Sequence, residues 1–182
     1  FYRDLQRHGL TNDPRLNTQW HLHNTGQTAG VVDADVDAPE AWDIQTGSPN
    51  IVVAVIDDGM EYTHPDLSAN VWVNAGEIPS NGIDDDGNGW VDDVRGWDFT
   101  GAGDNDPGPS TVNDAHATSV AGIVAAVGNN GLGVAGIAYT SKVMPVRIFL
   151  GGTFAGDANA ASAIYYAAGR TANGLGTWNA AT

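Results

Sequence analysis

Residues 50–59 read NIVVAVIDDG. The run is apolar for the length of a strand and is bracketed by Pro49 and Gly59. Apolar side chains on both faces predict a buried parallel strand over 50–57. Working outward, KVMPVRIF at 142–149 predicts a second buried strand, and HATSVAGIVAAVG at 116–128 a helix of small, closely packing residues. DANAASAIYYAAGRTAN at 157–173 predicts a further helix, with Asp157 as N-cap and Gly174 beyond its end. A short helix is expected over 36–46, entered through Asp37 and Pro39 and stopped by Gly47. Residues 74–114 are loop-like. Residues 1–30 are irregular, with QWHLHNTGQ an extended segment along the surface. Strand, loop, helix, strand, helix is the order of a parallel α/β sheet.

The chain has 182 residues, enough for one domain with a core but short for a complete two-layer enzyme. Twenty-two acidic residues against seven basic give a net charge of −15. That balance excludes nucleic acid as a partner, because little here would neutralise phosphates. No apolar run approaches the ~20 residues of a membrane helix. There is no cysteine, hence neither a disulfide framework nor thiol chemistry. The opening FYRDLQRHGL has no apolar core, so the chain is expected to begin after any export signal and pro-segment.

In open α/β sheets, chemistry gathers at the carboxyl ends of the strands. Asp57 ends the first strand, where a carboxylate is well placed to orient an imidazole. An isolated Asp-Asp-Gly otherwise reads as a turn. His116 opens a helix, where a lone histidine is more often structural than catalytic. Their contexts say more. VAVIDDGMEYTHPDL (53–67), NDAHATSVAGIVAA (113–126) and NNGLGVAGIAYTSKVMPVRIF (129–149) resemble, in order, three blocks of the subtilisin superfamily. QWHLHNTGQ is similar to that family's mature amino terminus. The resemblance covers nearly the whole chain.

It implies a three-layer α/β/α sandwich with a mostly parallel sheet, incomplete in this chain. Residues 1–182 would be the amino-terminal portion of one peptidase domain, carrying an inserted acidic loop at 82–95. It also implies a serine endopeptidase in which His116 is the general base and Asp57 holds its tautomer. Asp58 resembles the kexin and furin branch, where an acid at this place faces a basic substrate residue before the scissile one. It could equally be a solvated turn residue. Two features depart from the family. Ala117 replaces the usual glycine after the histidine. The nucleophile block and the oxyanion asparagine are absent, and Ser48, Ser68, Ser80, Ser110, Ser119, Ser141 and Ser162 match neither.

The acids read as cation ligands. In GIDDDGNGWVDD (82–93), Asp84, Asp86, Asn88 and Gly89 follow the opening of an EF-hand loop. The Trp90 carbonyl and Asp92 or Asp93 would follow, while Arg95 stands where the closing glutamate belongs. Asp98, Asp104 and Asp106 are similar to a calcium-binding trio of kexin-like enzymes. The resemblance alone implies a third site: Asp13, Asp66 and Asn130, with carbonyls of Val127, Leu132 and Val134. Hard oxygen ligands favour calcium over zinc, and calcium at extracellular concentration supports a secreted or periplasmic protein.

The expected partners are an extended peptide or protein substrate and the carboxy-terminal half of the same domain, as a following segment or a second chain. Nicking after Thr182, in TANGLGTWNAAT, would produce the latter. Uncovered sheet edges predict tight association with that half. The alternatives are a non-catalytic calcium module or pseudoenzyme on this scaffold, and an unrelated calcium-binding adhesion or structural protein.

Overall fold

The computed structural model describes residues 9–172. The elements run in the order α1 (Ala38–Trp42), β1 (Val52–Asp57), β2 (Trp97–Asp98), α2 (His116–Ala125), β3 (Lys142–Arg147), β4 (Phe149–Leu150), β5 (Thr153–Phe154) and α3 (Asp157–Ala167). The predicted order of strand, long loop, helix, strand and helix is present.

The main sheet has the order β1-β3-β2 and is parallel throughout. Val52 pairs with Lys142 and the register runs on to Asp57 opposite Arg147, while Asp98 faces Arg147 from the other side. Three polar residues thus lie in one row at the carboxyl edge. A bridge from Val71 to Val143 extends the sheet beside β3. β4 and β5 form a small antiparallel hairpin.

β3 separates two cores. Val143 faces one of them, packing with Val55, Met60, Leu67 and the alanine stripe Ala117, Ala121 and Ala125 of α2. Met144 and Val146 face the other, with Trp72, Trp90, Phe99 and the α3 residues Ala163 and Tyr166. The alternation follows from the period of two along a strand. It places α2 and α3 on opposite faces, the α/β layering expected. Small side chains let α2 approach the sheet closely, and Trp90, Phe99 and Tyr166 fill the other layer edge to face.

Several details differ from the sequence reading. β3 is buried almost throughout, as predicted, whereas in β1 only Val55 is fully buried, because β1 is an edge strand with one partner among the described residues. α1 is limited to Ala38–Trp42, with Asp37 as N-cap in left-handed backbone. α2 stops at Ala125. α3 is capped by Gly156, making Asp157 its first residue, and it ends at Ala167 because Gly169 turns left-handed just beyond. Gly174 lies outside the described residues. Gln19 and Leu22 are buried in a series of turns, not in an extended strip; Leu22 packs with Leu16, Ala38, Trp42 and Ala135.

Candidate active site

Asp57 is the last residue of β1 and is held there by the sheet, its carbonyl accepting the Ile148 N–H. His116 is the first residue of α2. Its Nδ1 lies 2.6 Å from Asp57 Oδ2. A carboxylate only accepts, so Nδ1 carries the proton, and in the neutral tautomer Nε2 holds the free lone pair. The imidazole is 71% exposed and Asp57 is 19% exposed, so a fixed carboxylate orients an imidazole that solvent can reach.

The neighbouring turn supports this pair. Asp58 N–H donates to Asp57 Oδ1 at 2.8 Å. The Asp58 carboxylate takes two main-chain N–H groups of α2, His116 at 3.2 Å and Ala117 at 2.8 Å. Gly59 sits at φ +103, where a Cβ would come within 2.4 Å of the Gly108 carbonyl oxygen. Only glycine allows both the backbone conformation and the close approach. Met60 N–H donates to the Pro107 carbonyl, and Arg147 Nη1 donates to the Gly108 carbonyl at 2.9 Å. The methyl of Ala117 is buried in the α2 core, and the Asp57–His116 contact forms beside it.

A cleft of about 730 Å³ opens over the pair, walled by Asp57, Asp58, Asp114, His116, Phe149 and Gly151 among others. Hydrogen bonding, first from the Ser110 hydroxyl, holds the Asp114 carboxyl below its usual range, so this wall carries negative charge at neutral pH. Among the described residues no serine hydroxyl hydrogen-bonds His116. Ser119 Oγ is spent on the Ala115 carbonyl within α2, and Ser110 on Asp114.

Glu77, Asp84 and Asp86 bring carboxylate oxygens within 4.8 Å of one another, a group that could hold a metal ion. Asp84 and Asp86 come from the predicted loop; Glu77 was not foreseen. It stands seven residues before Asp84, outside the alternating pattern, and only the chain reversal across 78–83 brings it in. Its carboxylate also accepts the N–H groups of Asp85, Asp86 and Asp92. Burial pushes its titration upward.

The other predicted residues of the loop lie outside that carboxylate group. Asn88 Oδ1 accepts the Trp90 N–H, and the Trp90 ring is part of the core. Asp92 uses one oxygen on Asn81 N–H and the other on Gly82 N–H. Asp93 is fully buried, receives the amides of Asn74 and Asn88, and is pushed up to about 6 chiefly by that burial. Both carboxylates therefore organise the loop from within.

Asp98, Asp104 and Asp106 are not gathered in the same way. Asp98 pairs with Arg147 and accepts from the Thr100 hydroxyl, Asp104 caps Asp106 N–H, and Asp106 takes the Tyr62 hydroxyl. Arg147 is the partner that sequence reading missed, a cation buried at a strand end. The residues of the third set are tied together by hydrogen bonds. Buried Asp13 accepts the N–H groups of Asn129 and Asn130, and buried Asp66 accepts the Asn130 amide and the Val134 N–H. Val127 N–H binds the Asp66 carbonyl and Leu132 N–H the Asn130 side chain, closing the 127–134 loop over both aspartates.

A parallel sheet presents Asp-Asp-Gly at one strand end with a helix-initial histidine beside it, and comparison with known proteins gives the class of this arrangement. Residues 48–181 match the subtilase family, peptidase S8, and the chain belongs to that family. It is 35% identical over 162 residues to the PC3-like endoprotease variant B of Hydra vulgaris, covering 88% of this chain and 20% of that protein. It is 40% identical over 166 residues to an extracellular protease of Xanthomonas campestris pv. campestris, covering 90% and 27%. Among solved structures, a protease of Pseudoalteromonas arctica superposes with a TM-score of 0.64 at 33% identity, covering 94% of this chain and 48% of that one. The chain thus spans about a fifth to a quarter of these two curated relatives.

Proposed function

We propose that the protein containing this chain is a calcium-dependent serine endopeptidase of the subtilisin type. The observation that carries this is the 2.6 Å contact between Asp57 and His116 at the mouth of the cleft. In this reading His116 Nε2 takes the proton of a serine hydroxyl and then gives it to the leaving amine. Asp57 keeps Nδ1–H in place and stabilises the imidazolium. The serine and the oxyanion asparagine come from outside these 182 residues, on a following segment or a second chain. The peptide lies extended in the cleft. Asp58 and Asp114 on its wall support a preference for basic residues before the scissile bond.

The donor sets fit calcium: carboxylate and amide oxygens, with no thiolate or imidazole. Glu77, Asp84 and Asp86 would hold one ion, and Asp13, Asp66 and Asn130 another. A bound cation neutralises carboxylates that otherwise repel at this spacing. Asp98, Asp104 and Asp106 are the weaker set, since Arg147 already supplies a positive charge to Asp98. Such sites suit the calcium-rich outside of the cell, and a secreted or periplasmic location follows.

The test is fluorophosphonate labelling of the full-length protein, with intact mass under denaturing conditions and a peptidase assay with and without EDTA. A labelled serine and EDTA-sensitive cleavage support the reading. A folded protein that neither labels nor cleaves points instead to a pseudoenzyme or calcium module on this scaffold.

A further inference from the structure

We propose that Asp58 is a positioning residue for His116, acting through the main chain of α2, in addition to any contact with substrate. This rests on the protease reading above. α2 begins at His116, and its N-cap is Ala115, whose methyl offers no acceptor; the first turn also holds no acidic residue. The helix therefore opens with main-chain donors that its own sequence leaves without a side-chain partner. Asp58, fifty-eight residues earlier, supplies both acceptors: Oδ2 to His116 N–H at 3.2 Å and Oδ1 to Ala117 N–H at 2.8 Å. A carboxylate beside a helix N-terminus also complements its dipole.

These bonds close a ring. Asp57 Oδ2 binds the His116 ring, Asp57 Oδ1 binds Asp58 N–H, and the Asp58 side chain binds the His116 backbone. The imidazole is held at its ring and at its peptide by two adjacent residues of one turn. The turn is itself clamped at Gly59 by Gly108 and Arg147. His116 is otherwise highly exposed, so these contacts rather than packing decide where Nε2 lies. Each Asp58 oxygen keeps a further lone pair, and helix anchoring is thus compatible with attraction of a basic side chain.

The experiment compares Asp58→Ala and Asp58→Asn in the full-length protein, each assayed below its own unfolding transition. Two peptides are used, one with a basic and one with a neutral residue before the scissile residue. Loss of anchoring is expected to lower kcat about ten- to a hundredfold on both peptides in Asp58→Ala, with little change in KM for the neutral peptide. Asp58→Asn, whose amide oxygen still accepts one N–H, is expected to regain part of it. In parallel, histidine-selective ¹⁵N labelling reads the low-field His116 Nδ1–H proton, expected to weaken in Asp58→Ala and to persist in Asp58→Asn.

An unchanged kcat with KM raised for the basic peptide alone would overturn the proposal, as would a low-field proton unaltered in Asp58→Ala. A wild-type protein that hydrolyses no peptide defeats the protease reading, and the resonance still decides the role of Asp58.

Discussion

Arg147 Nη2 lies 3.3 Å from Asp98 Oδ2, an ion pair with both side chains buried at the carboxyl edge of the sheet. Burial raises the Asp98 titration, while the Thr100 hydrogen bonds and the guanidinium oppose that shift. Removing one partner strands the other charge in a dry site. Arg147→Met is expected to cost about 3 kcal/mol or more in denaturant unfolding. The pair Arg147→Met with Asp98→Leu should recover much of that. Additive losses in the double variant would show that the two residues do not act as a pair.

Asp57→Asn keeps the shape of the side chain and can leave His116 in the wrong tautomer. The expected loss is about 10⁴ in kcat, with folding intact. A steady-state assay and circular dichroism decide this; a loss below tenfold would mean that the Asp57–His116 contact does not set the tautomer.

Gly59→Ala places a methyl within 2.4 Å of the Gly108 oxygen on left-handed backbone. The expected cost is about 3 kcal/mol. Because this turn carries Asp57 and Asp58, activity should fall further than the folded fraction does. Thermal unfolding and kcat measured on the same sample separate the two effects.

Chelation should lower Tm, and restored calcium should raise it. A site filled at 100 times its dissociation constant adds about 2.7 kcal/mol. Glu77→Gln is expected to reduce the calcium-dependent gain, since it removes one carboxylate from the group with Asp84 and Asp86. An undiminished gain in Glu77→Gln would place the stabilising ion elsewhere, with Asp13 and Asp66 next to be tested.

Asp93 carries a pH dependence whose sign can be worked out. Its folded titration is raised to about 6 from an ordinary 3.8, first by burial. Between those values the folded state holds more protons than the unfolded state, so stability falls as pH rises through that window. The penalty is complete above it. With chelator present, wild type should lose on the order of 2 kcal/mol relative to Asp93→Asn between pH 4 and pH 7. Parallel pH profiles for the two proteins would contradict this.

Much of the fold was legible because β3, α2 and α3 carry local signals. A strand reads as a continuous apolar run and a helix as a stripe of small residues ended by glycine. Asp57 and His116 were legible from the segments around them, since each stands at an element end where a polar group can leave the core. The order of the acids likewise exposed the 82–93 loop. Local order could not show how charges would be shared. All four aspartates accept backbone or amide N–H groups, yet Asp92 and Asp93 are buried while the half-buried Asp84 and Asp86 are the ones that gather with Glu77. Glu77 has no pattern of its own.

The sequence by itself determined the element types and the parallel α/β layering, because periodicity and punctuation act over a few neighbouring positions, and the resemblance of the surrounding segments singled out Asp57 and His116. The tertiary structure alone decided that Asp58 caps α2, that Arg147 claims Asp98 and that Glu77 joins Asp84. Each of these is a through-space choice of partner. An unpaired charge or N–H in a dry interior is costly, so each group takes whichever partner the folded backbone brings within reach.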